Sequence, residues 1–387
     1  ISPVGRTRTL PAPNASPDKL RFAVTSCQNF EQGLFTAYQQ MAADRPDFVF
    51  HLGDYIYEYA GINGKVRTHQ GPEIESLDQY RIRYAQYKGD KDLQAMHAAC
   101  PWFVTWDDHE FDNNCAADIS EQKNVDTAKF LLRRANAYQA YYEMMPLRTS
   151  SLPIGPNMTL YRKGSFGTLA EFFILDTRQY RSDQPNNDRK SPLNAAATNP
   201  RNTLLGETQR NWLFDSMSAS KGTWNILAQQ VMMALADRSS AKAPANYSMD
   251  QWPGYAHERA ALLKYVRDHK IANPVVLTGD IHSNWANELR VDDFKQEQAI
   301  IASEFVTTSL SSGGNGSATI KGLDEYLGRN PCTKFHNRER GYIICEVTPK
   351  TYTADYKVID EVLKPGGKTT SRAKFTVEAG TPGIHQA

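Results

Sequence analysis

The chain has 387 residues, of which 40% are hydrophobic and 22% charged, a globular composition with ample apolar material for a large core. Its 44 Lys and Arg against 43 Asp and Glu leave a formal net charge of +1. No global field therefore draws it to nucleic acid or an acidic membrane surface, and an anionic substrate would have to be captured locally. No apolar run approaches the roughly 18 residues of a transmembrane helix.

In chain order, strands are predicted over 21–25, 47–52, 102–106, 171–175, 224–229, 274–278, 305–309 and 342–347. Several are continuous apolar runs, as strands covered on both faces should be. Helical spacing appears between them. One stripe is Leu34, Phe35, Tyr38, Met41 and Ala42; a second is Leu77, Tyr80, Tyr84 and Tyr87, ending at Gly89. The clearest is Ala128, Leu131, Leu132, Ala135, Tyr138, Tyr142 and Met145, stopped by Pro146, and a fourth holds Leu262, Leu263 and Val266. The order is βαβαβα followed by a β-richer part with one more strand over 373–377, which argues for an α/β layered fold around a sheet core. Stretches 182–202 and 309–317 read as loops rather than linkers. The residues of chemical interest run from Cys27 to His282, favouring one catalytic domain over 20–387 with a short extension, 1–19. The chain begins at Ile1 rather than Met, as expected of a secreted or periplasmic product whose export signal has been removed.

Four strand ends break their apolar runs with potential ligands: Ser26-Cys27-Gln28, Gly53-Asp54-Tyr55-Ile56-Tyr57, Asp107-Asp108-His109-Glu110 and Gly279-Asp280-Ile281-His282. Singly, each has a bland explanation: a core cysteine, a turn, a solvated acidic pair, an ordinary histidine. Ligands in α/β sheets bind beyond the carboxyl ends of strands, so four such tips are expected to converge on one crevice and form a metal site.

The segments VTSCQ (24–28), HLGDYIYE (51–58), WDDHEFDNN (106–114), LDTRQYR (175–181) and TGDIHSNW (278–285) resemble the PhoD-type alkaline phosphatase/phosphodiesterase family, within the calcineurin-like metallophosphoesterases. The resemblance runs from about 20 to 348, five motifs in the family's order. It implies an α-β-β-α sandwich of two sheets with a dinuclear centre at the strand C-terminal ends. By motif position, Cys27, Asp54, Tyr57 and His282 would hold the first metal, and Asp54 would bridge to a second held by Asp108 and Asp280. The family pair is typically Fe3+ and Ca2+. Many members carry a further N-terminal β-sandwich, of which only about twenty residues before the first strand could be part. Cys115 and Cys332 fall in loops expected to flank the mouth of the site, giving an expected Cys115–Cys332 disulfide.

The residue types agree with that pair of ions. Thiolate and phenolate donate strongly enough to suit trivalent iron, and an all-carboxylate set suits calcium, magnesium or manganese over zinc. Cys27, Asp54, Tyr57, Asp108 and Asp280 carry about −5 when ionised, one charge each, which matches one trivalent and one divalent cation. With Cys27 taken, Cys100, Cys115, Cys332 and Cys345 remain for up to two disulfides or for buried thiols.

His109 is the candidate to protonate the leaving alkoxide, or else orients its neighbours. Arg178 either grips phosphate bidentately or pairs with Asp176 or Asp183. For Asn113 and Asn114, ligand and pocket-shaping roles stay open. Gly366-Gly367-Lys368-Thr369 lacks the upstream glycine of a P-loop and reads as a turn. No G-x-S-x-G elbow occurs, and none of the nine histidines begins an H-x-K. His51 is expected to pack within its strand, and Tyr247, Trp252 and Tyr255 to form core more than a leaving-group pocket. Three functions follow. One is a phosphate mono- and diesterase scavenging phosphate from small esters. Another is a calcium-dependent phospholipase D-like diesterase, with loop 309–317 admitting lipid. The last is a non-catalytic metal-binding or adhesion protein.

Overall fold

Among the described residues, the apolar runs pair into two sheets of seven strands each. The computed structural model describes residues 4–239 and 243–387. Its elements are β1 (Leu20–Thr25), α1 (Ala37–Ala43), β2 (Phe48–Leu52), α2 (Leu77–Lys88), α3 (Lys91–Ala99), β3 (Trp102–Thr105) and α4 (Thr127–Met144). Then come β4 (Arg162–Phe166), β5 (Ala170–Ile174), α5 (Gly206–Ser218), β6 (Trp224–Ala228), α6 (Ala256–Asp268), β7 (Pro274–Thr278), β8 (Asn284–Leu289) and β9 (Ala302–Val306). The chain ends with α7 (Leu323–Arg329), β10 (Thr333–Asn337), β11 (Arg340–Val347), β12 (Thr351–Ile359), β13 (Thr369–Glu378) and β14 (Thr381–Gln386).

Sheet one has the order β14-β13-β12-β11-β1-β2-β3 and sheet two β10-β8-β9-β7-β6-β5-β4. Within them β1, β2 and β3 run parallel, as do β5, β6, β7 and β9, so their carboxyl ends share one edge of the molecule. Alternate residues explain the continuous apolar runs. Phe22, Phe48 and Phe50 of sheet one face Phe172, Ile226 and Phe305 of sheet two and form the middle core. Ala23, Val49 and Val104 point outward to Tyr38, Tyr80, Tyr84 and Tyr138 of α1, α2 and α4. On the other side Phe173, Leu227 and Val276 meet Leu213, Met217, Leu262 and Val266 of α5 and α6. The result is four layers, α-β-β-α, with both sheets covered on both faces. Phe48 stacks on Phe22 at 5.3 Å and meets Phe172 edge-on at 5.4 Å, tying the sheets together.

Several expectations need correction. The helix over 127–144 is present, but its buried face is Phe130, Arg133, Arg134, Ala137, Tyr138 and Tyr141, while Leu132 is 64% exposed. Arg133 turns inward to pair with Asp112 at 2.8 Å, and Arg134 bonds the Pro156 carbonyl at 2.9 Å, so buried cations occupy positions that an apolar stripe would not assign to the core. The expected strand 305–309 is Ala302–Val306 instead, because Leu310 and Ser312 leave sheet two to bond the carbonyls of Ser26 and Cys27. The Cys115–Cys332 disulfide does not form. Both are buried free thiols, Cys115 in the layer outside sheet one and Cys332 in the layer outside sheet two, with the sandwich between them. His51 and the aromatic group Tyr247, Trp252 and Tyr255 are buried as expected.

Candidate metal centre

The tips of β1, β2, β3 and β7 meet at the shared edge. Cys27 N–H donates to the Gly53 carbonyl and Gln28 N–H to the Asp54 carbonyl, both at 3.0 Å, so the loops after β1 and β2 are laced together. Sheet two joins them at Gly279, where a Cβ would stand 2.8 Å from both Cβ and Oγ of Ser26. Only a glycine lets the β7 tip lean onto the β1 tip.

Beyond these contacts the backbone turns sharply. Cys27, Asp54, Asp280 and His282 all adopt left-handed conformations, with φ of 57°, 55°, 61° and 54°. Non-glycine residues held there cost on the order of 1–3 kcal/mol each and gather at functional sites. The turns bring donor atoms together. Those of Cys27, Asp54 and His282 lie within 4.8 Å of one another, as do those of Asp54, Asp108 and His109, and those of Asp107, Asp108 and Asp280. Tyr57 completes the first group, its hydroxyl 3.0 Å from Asp54 Oδ2 and 3.2 Å from His282 Nε2. All six expected ligands are therefore in one place, linked through Asp54 and Asp108.

The donor set fits cations on electrostatic grounds. Burial, then repulsion by Asp54, raises the Cys27 thiol and the Tyr57 phenol well above their ordinary ranges. Burial likewise raises Asp54 and Asp107 well above the carboxylate range, and Asp280 to about 6, although Arg178 opposes the shift in Asp107 and Asp280. Among the described residues, the buried oxygens Asp54 Oδ1 and Asp107 Oδ2 have no hydrogen-bond partner. A protein cavity does not keep so many acids ionised by itself, whereas bound cations would. Burial, reinforced by Arg340, lowers His282 to about 3, leaving a neutral imidazole with a free lone pair.

Arg178 does not face a substrate. It is fully buried, its Nε bonded to Asp107, Nη1 to Asp250 at 2.9 Å and Nη2 to Asp280 at 3.2 Å, with Asp108 at 3.6 Å. The expected phosphate grip is replaced by ion pairs, though with neither Asp176 nor Asp183. Asp250 also takes Arg181 at 2.7 Å, so two buried guanidiniums sit beneath the acidic cluster.

The His109 ring packs tilted against Tyr57 with centroids 4.2 Å apart, and its Nδ1 lies 2.7 Å from Glu58 Oε2. Burial disfavours its charge, but Glu58, Asp54 and Asp108 together outweigh this and raise it well above the histidine range. The Asn113 N–H donates to Glu58 at 3.0 Å and that of Asn114 to Asp108 at 2.7 Å; their side chains bond Glu121 and Asp188, so both shape the rim.

Sequence reasoning missed three contributors. Glu58 closes a quoted motif, but nothing beside it in sequence gives it a role. Asp250 lies far along the chain in no motif. Ser312 belongs to the loop once expected to admit lipid, yet it is buried, with Oγ 2.7 Å from both the Tyr57 hydroxyl and the Cys27 carbonyl. Ser309 and Ser311 are buried with it, so this stretch forms a wall of the site.

Comparison with known proteins places these features in a family. A family model described as PhoD-like phosphatase matches residues 22–356. Alkaline phosphatase D of Bacillus subtilis (strain 168) is 48% identical over 391 residues, covering 100% of this chain and 67% of that protein. A solved structure described as "Structure of PhoD" superposes with a TM-score of 0.95 at 48% identity, over 100% of this chain and 74% of that one.

Proposed function

The chain belongs to the PhoD-like phosphatases and is a phosphoester hydrolase, and from that premise we propose that it cleaves phosphate mono- and diesters with two cations, Fe3+ and Ca2+. Cys27, Asp54, Tyr57 and His282 would hold the iron. Asp54, Asp108 and Asp280 would hold the calcium, or magnesium or manganese in its place. The observation that carries this reading is the meeting of a thiol, a phenol, an imidazole and a carboxylate at one point beside an all-carboxylate group. The first set suits a trivalent ion and the second a hard divalent one. When bound, such a pair supplies Lewis-acid activation of water and a positive clamp for phosphoryl oxygens.

The chain's own residues supply orientation and a proton. Glu58 holds His109 through Nδ1, which leaves Nε2 facing the crevice to protonate the departing alkoxide. Arg178 and Arg181, locked in carboxylate pairs, fix Asp107, Asp108, Asp250 and Asp280 rather than touching the ester. By family analogy the enzyme acts outside the cytoplasm, secreted or periplasmic, releasing phosphate from small esters.

A phospholipase D-like preference is the second reading. One observation favours it: the Tyr59 ring, 41% exposed, lies edge-on to His109 at 5.2 Å and offers an apolar surface beside the leaving group. Elemental analysis of the purified enzyme, its visible spectrum, and turnover of a nitrophenyl monoester, its bis-ester and a choline phospholipid test both readings. One iron and one calcium per chain, a tyrosinate charge-transfer band and turnover of both nitrophenyl esters are expected. An active, colourless, iron-free enzyme sinks the ferric assignment. Activity confined to the phospholipid moves the conclusion to the second reading.

A further inference from the structure

Glu110 directly follows the candidate acid His109, yet its carboxylate binds only backbone. It is buried, and its Oε2 accepts the N–H groups of Asp54 at 3.0 Å and Asp107 at 2.8 Å, while Oε1 accepts that of Tyr55 at 2.6 Å. One side chain thus clamps the loop after β2 to the loop after β3. The clamp sits where these loops touch most closely. At Gly53, φ 103°, a Cβ would stand 2.3 Å from the Asp107 Cβ, so the backbones are already in contact. The two loops carry Asp54 and Asp108, whose separation sets where a bridging carboxylate can reach a second cation.

The Asp54 side chain is weakly held by the chain itself. Among the described residues its Oδ1 has no partner, and its Oδ2 accepts only the Tyr57 hydroxyl. Its position must come from its backbone, which is left-handed and bonded through N–H to Glu110. Asp108, by contrast, is fixed from its own loop by the N–H groups of His109 at 3.1 Å and Asn114 at 2.7 Å. We propose that Glu110 is a positioning residue that presets the Asp54–Asp108 spacing before any cation binds. The inference rests on the two-cation reading of the site.

The chemistry of the clamp requires a carboxylate. Glutamine keeps the length but has one oxygen, so its NH2 must face either the Tyr55 N–H or the pair from Asp54 and Asp107, donor against donor. Aspartate is one methylene short and can reach only one loop.

The test is calorimetric titration of Ca2+ and of Mn2+ into the full chain after chelation, comparing wild type, Glu110→Gln and Glu258→Gln. Glu258 is the control: also buried, it accepts the N–H groups of Leu204 and Leu205 far from the crevice. Glu110→Gln is expected to weaken the second cation roughly 10–100-fold, as loss of a group supporting metal ligands does. Glu258→Gln should lower the thermal midpoint and leave cation affinity alone. Wild-type affinity in Glu110→Gln, or equal weakening in both variants, overturns the proposal. Should Glu110→Gln not fold, amide exchange in the chelated wild-type chain decides. Protection of the Asp54, Tyr55 and Asp107 amides equal to that in the loaded enzyme supports a preset clamp; free exchange refutes it. A wild-type chain that binds no cation yet keeps those amides protected refutes the metal reading alone.

Discussion

Glu258 of α6 and Asp293, which pairs with Arg259 of α6, and Asp54 and Asp107, at the strand tips, are all buried carboxylates, but the chain treats them differently. Both oxygens of Glu258 and both of Asp293 are used. Glu258 accepts from Leu204, Leu205, Thr203 and Arg210; Asp293 accepts from Leu235, Arg290 and Arg259. At the tips, Asp54 Oδ1 and Asp107 Oδ2 accept nothing from the described residues. An oxygen left open in a packed cavity is free to meet a ligand, whereas the oxygens of Glu258 and Asp293 are already taken by the fold. Burial alone would not have separated the two.

Four measurements can break or sharpen that contrast. The largest effect is expected from Asp54→Asn, which should lower kcat/KM by roughly 10^3-fold while the cation-free chain unfolds no more easily than wild type, since the cost of burying an acid that must be protonated to fold has been removed. A clear loss of stability in that chain would erase the distinction. Asp293→Asn should do the reverse. It leaves the buried Arg259 guanidinium uncompensated and should cost about 3–5 kcal/mol in denaturant unfolding, with kcat of the folded enzyme unchanged. Glu58→Gln lies between the two regions in character, because Glu58 serves the site without being open. Loss of roughly 10–100-fold in kcat with cation content intact is expected, and elemental analysis beside steady-state kinetics reads it. The smallest effect is for the thiols: thiol titration of the unfolded chain should find all five cysteines, and a reductant should leave the thermal midpoint unmoved.

The strand tips were legible because a strand followed by Gly-Asp or by an acidic pair interrupts an apolar run, a signal carried by neighbours in sequence. The six candidate ligands and the layered sheets came from that signal and from motif resemblance. What stayed hidden depends on partners far along the chain. Arg178 looked like a phosphate hook because Asp250, 72 residues away, could not be placed against it. Arg133 and Arg134 turned the face of α4 for the same reason, through Asp112 and the Pro156 carbonyl. β12 alternates buried Tyr352, Ala354, Tyr356 and Val358 with half-buried residues, the period-two pattern of a strand with one face in the core.

The four left-handed residues at the crevice leave the chain little freedom to improve itself. At most such positions a change to glycine relieves the backbone and stabilises the protein, but here glycine would delete a donor atom at Cys27, Asp54, Asp280 or His282. The discomfort of these turns is therefore inherited with the activity. Engineers seeking a sturdier enzyme should leave that edge untouched and work on the helical layers.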